Sequence, residues 1–272
     1  MMVPMGDHPS TEGISVTFVN RRRALLAVGG MALTAGPARH LLLSGPAGQA
    51  QAHRAAPAHR AAAADHAAAA QPTPHYPLDR PLYYIRDQAK SIALTIDDGP
   101  DPEYTPQVLR LLHKYQVTAT FSMIGVHVAA YPHVARAVAE AGHTIANHTW
   151  THADLDGMPV PRVRSELARA SDAIHAATGA RPGLFRAPYG AWSAAVIRQC
   201  EQMKMVPLDW SVDPRDWAEP GVRRIVRRIM EQTRPGSIIL EHDGGGNRSQ
   251  TVAALRIVLP RLLDEGYHFA IP

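Results

Sequence analysis

Two carboxylates stand side by side at Asp97-Asp98, directly after the apolar run Ile92–Ile96, and two imidazoles lie four residues apart in His148-Thr149-Trp150-Thr151-His152. Imidazoles at that spacing, one turn apart if the segment is locally helical, can both approach a single cation at about 2.0–2.1 Å. An open catalytic metal site needs a third ligand, and a neighbouring carboxylate supplies it. Adjacent residues at a strand end point in different directions, so one Asp can hold metal while the other faces substrate. Asp-Asp-Gly-Pro followed by Asp101-Pro102 also reads as a capped turn leading into a helix. Two anions so close repel without a cation, however, which tilts the reading towards metal. The chain has a single cysteine, Cys200, so an intramolecular disulfide and a cysteine-based zinc site are both excluded.

These residues sit in a repeating pattern of short apolar runs and amphipathic stretches. Strands are expected at Ile92–Ile96, Thr118–Ile124, Thr144–Ala146, Leu184–Arg186, Val206–Asp209, Ser237–Glu241 and His268–Ile271. Between them, helical spacing predicts helices over Pro106–Tyr115, Val134–Ala141, Val160–Thr178, Ala194–Met203, Val222–Gln232 and Thr251–Glu265. Gly142, Gly179 and Gly266 stand where left-handed helix caps belong. Strands alternating with helices of this length indicate parallel β/α units. The stretch from Ser91 to Pro272 is short for an eight-fold barrel, which takes about 250 residues. The expected fold is therefore α/β, a distorted, incomplete (β/α) barrel with about seven parallel strands. Every polar cluster follows a predicted strand: Asp97-Asp98, His148 with His152, Arg186, the run Asp209 to Trp217, and His242. The C-terminal ends of barrel strands converge on one mouth, so these groups would share one pocket.

The rest of the chain reads as address and tether. Arg21-Arg22-Arg23 precede a short apolar stretch and small residues, the layout of a secretory signal, and the paired arginines suggest the twin-arginine route of bacteria. Residues 1–44 are assigned to this signal, 45–80 to an Ala/Pro-rich flexible linker, and 81–272 to a catalytic domain. The apolar stretch is too short for a comfortable membrane span. Export to the cell wall or the medium is expected. A net charge of +4 gives little reason to propose nucleic acid as a partner. Arg223, Arg224, Arg227 and Arg228 fall on one side of a predicted helix and read as a solvated face.

Taken together, Thr95-Ile96-Asp97-Asp98-Gly99-Pro100 and His148-Thr149-Trp150-Thr151-His152 resemble the first two motifs of the polysaccharide deacetylases of the NodB-homology type, carbohydrate esterase family 4. Arg186-Ala187-Pro188-Tyr189-Gly190, Asp213-Pro214-Arg215-Asp216-Trp217 and Leu240-Glu241-His242 resemble the third, fourth and fifth, in family order. Ile96 departs from the phenylalanine frequent there, an exchange of one apolar strand residue for another. The resemblance implies a divalent metal, most commonly zinc, on Asp98, His148 and His152. It makes Asp97 the general base towards metal-activated water, Arg186 the residue that orients Asp97, and His242 the general acid, with Asp213 as its partner. Tyr189 would donate its backbone N–H to the oxyanion, and Trp217 and Leu240 would line the acetyl pocket. Asp209 and Asp216 receive no role.

The activity so implied is removal of N-acetyl groups from a carbohydrate polymer, chitin oligomers or peptidoglycan N-acetylglucosamine, with release of acetate. An O-acetyl (xylan) esterase could use the same groups. A catalytically silent carbohydrate-binding relic would be free to lose Asp97 or His242, and both are present. A zinc peptidase is disfavoured because no H-E-x-x-H arrangement occurs. The oligomeric state is not legible.

Overall fold

A computed structural model describes residues 79–86 and 90–272. The signal expected over 1–44, and all of the linker expected over 45–80 except Asp79 and Arg80, lie outside the described residues. The elements follow as β1 (Ser91–Asp97), α1 (Thr105–Tyr115), β2 (Thr120–Met123), α2 (Gly125–Ala130), α3 (Pro132–Glu140), β3 (Thr144–Asn147), α4 (Val160–Thr178), β4 (Leu184–Phe185), α5 (Ala194–Gln202), β5 (Val206–Pro207), α6 (Val222–Gln232), β6 (Ile238–His242), α7 (Ser249–Asp264) and β7 (His268–Phe269). All seven expected strands form, in the order β5-β4-β3-β2-β1-β6 with β7 added to β1, and every ladder is parallel. The fold is the incomplete (β/α) barrel that the alternation implies.

Among the described residues, no eighth strand closes it. Residues 82–85 stitch the two edges instead. Leu82 pairs in parallel with Leu208 just past β5, and Tyr84 pairs antiparallel with Ser237 just before β6. The N–H of Leu82 donates to Pro207 O at 2.9 Å, and that of Ile85 to Gly236 O at 2.9 Å. A parallel bridge from Val212 to Ile239 completes the seam.

Period-two alternation sorts β1 into two roles. Ile92, Leu94 and Ile96 join the large core beneath the helices, with Val108, Leu112, Phe121, Leu255 and Val258. Ala93, Thr95 and Asp97 occupy the other face, where Ala93 packs with Ala146, Leu184, Leu208 and Ile238. Small residues there leave room along the barrel axis for a large polar side chain. Gly142, Gly179 and Gly266 take φ of +80°, +78° and +82°, as left-handed caps do. α2 was not expected; with six residues opened by Gly125 it is too short to show a helical period. On α6, Ile225, Val226 and Ile229 are buried while Arg223, Arg224 and Arg227 are exposed. Among the described residues, no helix is long and apolar enough to cross a membrane.

Candidate active site

The barrel axis is filled by Arg186, which follows β4 and is fully buried. Its Nη1 donates to Thr95 Oγ1 at 2.6 Å and to Asp97 Oδ1 at 2.8 Å, and its Nη2 donates to Asp209 O at 2.9 Å. A buried guanidinium is tolerated only when paired, and these bonds fix Asp97 at the end of β1. Arg186 also fixes a histidine: its carbonyl lies 2.8 Å from His148 Nδ1. A carbonyl only accepts, so Nδ1 carries the proton and the Nε2 lone pair is left facing the cavity.

Asp98 takes the left-handed region at φ 73°. Its Oδ1 lies 3.5 Å from His148 Nε2 and 3.3 Å from His152 Nε2. One ligand atom from each of Asp98, His148 and His152 falls within 4.8 Å of the other two. Asp98 Oδ1 is buried with no hydrogen-bond donor. Three electron-pair donors aimed at one point, one of them buried and unsatisfied, fit a divalent cation. Burial alone would raise the Asp98 carboxyl, but the neighbouring imidazoles of His148, His242 and His152 hold it well below the usual carboxylate range. His152 is shifted down by burial and by His148, which favours the neutral form that a metal ligand needs. His127 Nδ1 lies 2.8 Å from Asp98 O, bracing the backbone of this ligand from α2.

The histidine segment is a loop rather than a helical turn. Thr149 and His152 both have positive φ, 65° and 59°. Side chains from elsewhere supply the hydrogen bonds that a helix would have made. Asn147 Oδ1 accepts the Thr149 N–H at 2.8 Å, and Glu166 Oε2 accepts the N–H groups of Trp150 and Thr151 at 3.0 and 2.9 Å. Glu166 comes from α4 and is buried. A second close approach lies beneath Asp98: a Cβ on Gly244 would collide with the Asp98 carbonyl, so the loop after β6 can pack there only as glycine.

The acid half of the site requires a correction. His242 Nδ1 pairs with Asp216 Oδ1 at 2.7 Å, not with Asp213. Asp216 Oδ2 further accepts the His242 N–H at 2.9 Å and the Thr251 hydroxyl at 2.7 Å. Asp213 Oδ1 instead accepts the Arg215 N–H at 2.7 Å, closing the turn around Pro214. The physical reason is that turn: Arg215 takes a left-handed φ of 57°, and the chain then enters a 3₁₀ turn, Asp216–Ala218, that buries Asp216. Burial pulls His242 down, but the charge and hydrogen bond of Asp216, with Asp98 and Asp97, raise it to about 9.

A cavity of about 380 Å³ gathers Asp97, Asp98, His148, His152, Tyr189, Asp213, Trp217, Leu240 and His242, together with Trp210. Every expected site residue except the buried Arg186 therefore lines it. Tyr189 is left-handed at φ 60° and exposed, its hydroxyl 3.2 Å from His152 Nδ1. Trp217 is exposed at the rim, and Leu240 is buried in the wall. Sequence reasoning missed Asn147, Glu166, Trp210 and Asp216. Only Asp216 carried a sequence signal, its place before Trp217.

The polysaccharide deacetylase family model matches residues 85–208. The chain is 41% identical over 205 residues to the chitooligosaccharide deacetylase of Bradyrhizobium sp. (strain ANU 289), covering 69% of this chain and 94% of that one. It is 41% identical over 187 residues to a peptidoglycan-N-acetylglucosamine deacetylase of Bacillus cereus, covering 68% and 87%. Among solved structures, that of the Bc1960 peptidoglycan N-acetylglucosamine deacetylase superposes with a TM-score of 0.67 at 30% identity, over 69% of this chain and 88% of that chain. With five motifs in order and relatives matched along most of their length, the chain belongs to the polysaccharide deacetylase family.

Proposed function

We propose that this protein hydrolyses N-acetyl groups from a polymer or oligomer of N-acetylglucosamine, releasing acetate, with one divalent ion, zinc, held by Asp98, His148 and His152. The observation that carries the reading is the meeting, in one cavity, of a cation-fitting Asp/His/His set, a separate carboxylate fixed by Arg186, and a histidine held by a buried aspartate. The bound ion supplies positive charge that polarises the acetyl carbonyl and acidifies water. Asp97 then takes the proton of the attacking water, because Arg186 holds the Asp97 carboxylate at the cavity wall. The oxyanion is met by the Tyr189 N–H. His242, its Nδ1 tied to Asp216, delivers the Nε2 proton to the departing nitrogen. Trp217 and Leu240 enclose the methyl group. A histidine raised to about 9 is a cation at neutral pH, the form a leaving amine requires. That feature favours N-acetyl over O-acetyl substrates, since an alkoxide leaves with less help.

The relatives' substrates bring chitin oligomers and peptidoglycan to the front of the panel. Acetate release from both, and from acetylated xylan, after chelation and with zinc restored, tests the reading. Zinc-dependent release from an N-acetylated substrate is expected. Release from xylan alone would reassign the chain as an esterase. Export on the N-terminal signal is part of the same proposal, and loss of secretion on Arg21→Lys/Arg22→Lys substitution would support it.

A further inference from the structure

Glu241 lies on β6 between two residues of the site, Leu240 and His242, and is fully buried. Neither of its carboxyl oxygens receives a hydrogen bond from any described residue. Strand alternation turns it away from the cavity, and the Asp216 carboxylate is bonded to the backbone of the very next residue, accepting the His242 N–H at 2.9 Å. Two carboxylates cannot share a hydrogen bond; one must carry a proton. Asp216 already accepts from His242 Nδ1, the His242 N–H and the Thr251 hydroxyl, all bonds that favour its ionised form. Glu241 has no such donors, so the proton belongs on Glu241.

We propose that Glu241 works as a neutral carboxylic acid whose O–H donates to Asp216, making it the positioning residue behind the Asp216–His242 pair. The charged groups around Glu241 are Asp216, Asp213 and Arg248, and those around His242 are Asp216, Asp98 and Asp97. Burial and the Asp216 charge both push the Glu241 carboxyl up. Donation from Glu241 spreads the Asp216 charge over one more bond. Asp216 therefore grips the His242 proton less tightly, and His242 can release it to substrate. The inference goes beyond the proposed activity, and only the kinetic arm of its test rests on that reading.

Infrared difference spectroscopy of the full chain, metal-free at neutral pH, reads the proton directly. A carboxylic-acid carbonyl band present in the wild type and lost in Glu241→Gln is expected. A difference spectrum showing only loss of a carboxylate would overturn the proposal. Should Glu241→Gln fold poorly, Asp216→Asn keeps the test: the acid band must shift when its acceptor changes, and an unmoved band is the refuting result. In kinetics, Glu241→Gln retains a donor and should stay within about twofold of wild type. Glu241→Met removes the donor and should lower kcat/KM about tenfold, moving the alkaline limb of the pH profile upward. If both variants instead move that limb downward together, Glu241 is ionised and the proposal fails. Absence of acetate release from every substrate would count against the activity, while the infrared result would still decide the state of Glu241.

Discussion

The two halves of the site are built by opposite means. On one side, Asp97, Asp98 and His148 are held by the barrel itself, through the end of β1, the Arg186 guanidinium along the axis and the Arg186 carbonyl, and His152 by the loop that Glu166 braces. On the other, His242 is held by a string of side chains, with Asp216 and Thr251 arriving from a 3₁₀ turn and a helix. The first half collects negative charge and lone pairs for a cation. The second makes a cation of its own. The proposed reaction, which binds a metal and then donates a proton, benefits from keeping these opposite electrostatic settings on separate supports.

Substitutions separate the halves. The largest effects fall on the metal half. Asp97→Asn should lower kcat by about 10²–10⁴-fold with metal content unchanged, whereas His148→Ala should remove the metal after mild chelation. Metal analysis beside acetate assays checks both, and metal loss in Asp97→Asn would break the division of roles. On the acid half, Asp216→Asn should lower kcat/KM on the order of 10²-fold and bring the His242 titration down from about 9, as followed by NMR of the metal-free protein. Asp213→Asn should change kcat/KM less than about threefold, because Asp213 closes a turn; equal effects from the two aspartates would undo the comparison. Glu166→Gln should weaken metal affinity roughly tenfold by loosening the histidine loop, measured by competition with a chelator. The smallest effect is on stability against pH. His242 is raised from 6.5 in its ordinary state to about 9 when folded. Its stabilisation of the metal-free protein is therefore complete below about 6.5 and fades as pH climbs through 9. Denaturant melts across that window should show the decline, and Asp216→Asn should flatten it.

The same contrast explains what the sequence made legible. Each strand–helix alternation carries its own period, so the parallel barrel could be read directly, and the contiguous paired carboxylates and H-x₃-H could be singled out as a candidate cation set. The choice between Asp213 and Asp216 could not. Both precede His242 in the same short run, and only the left-handed Arg215 and the 3₁₀ turn after it decide which carboxylate is buried beside the imidazole. Glu166 was hidden for a different reason. It sits on the inward stripe of α4, where a lone acid resembles any other polar interruption until the loop it braces is in view. Helix ends fared well because glycine with positive φ is a local requirement, while the seam through residues 82–85 depends on partners more than a hundred positions away.

That dependence on distant partners bears on how the molecule folds. The strand β1 meets β6 in register from Ala93 with Ile238 to Asp97 with His242, and the Thr95 hydroxyl bonds to Ile239 O across 144 positions. Contacts of such separation are slow to form, because much of the chain must be ordered before they contribute. The β1 to β4 portion can assemble from neighbours, with its Asp98, His148 and His152, before residues near 240 have been synthesised. A nascent chain could thus hold a cation-binding set well before it holds His242. Competence for the reaction would arrive as the last event of folding, when β6 slots in beside β1.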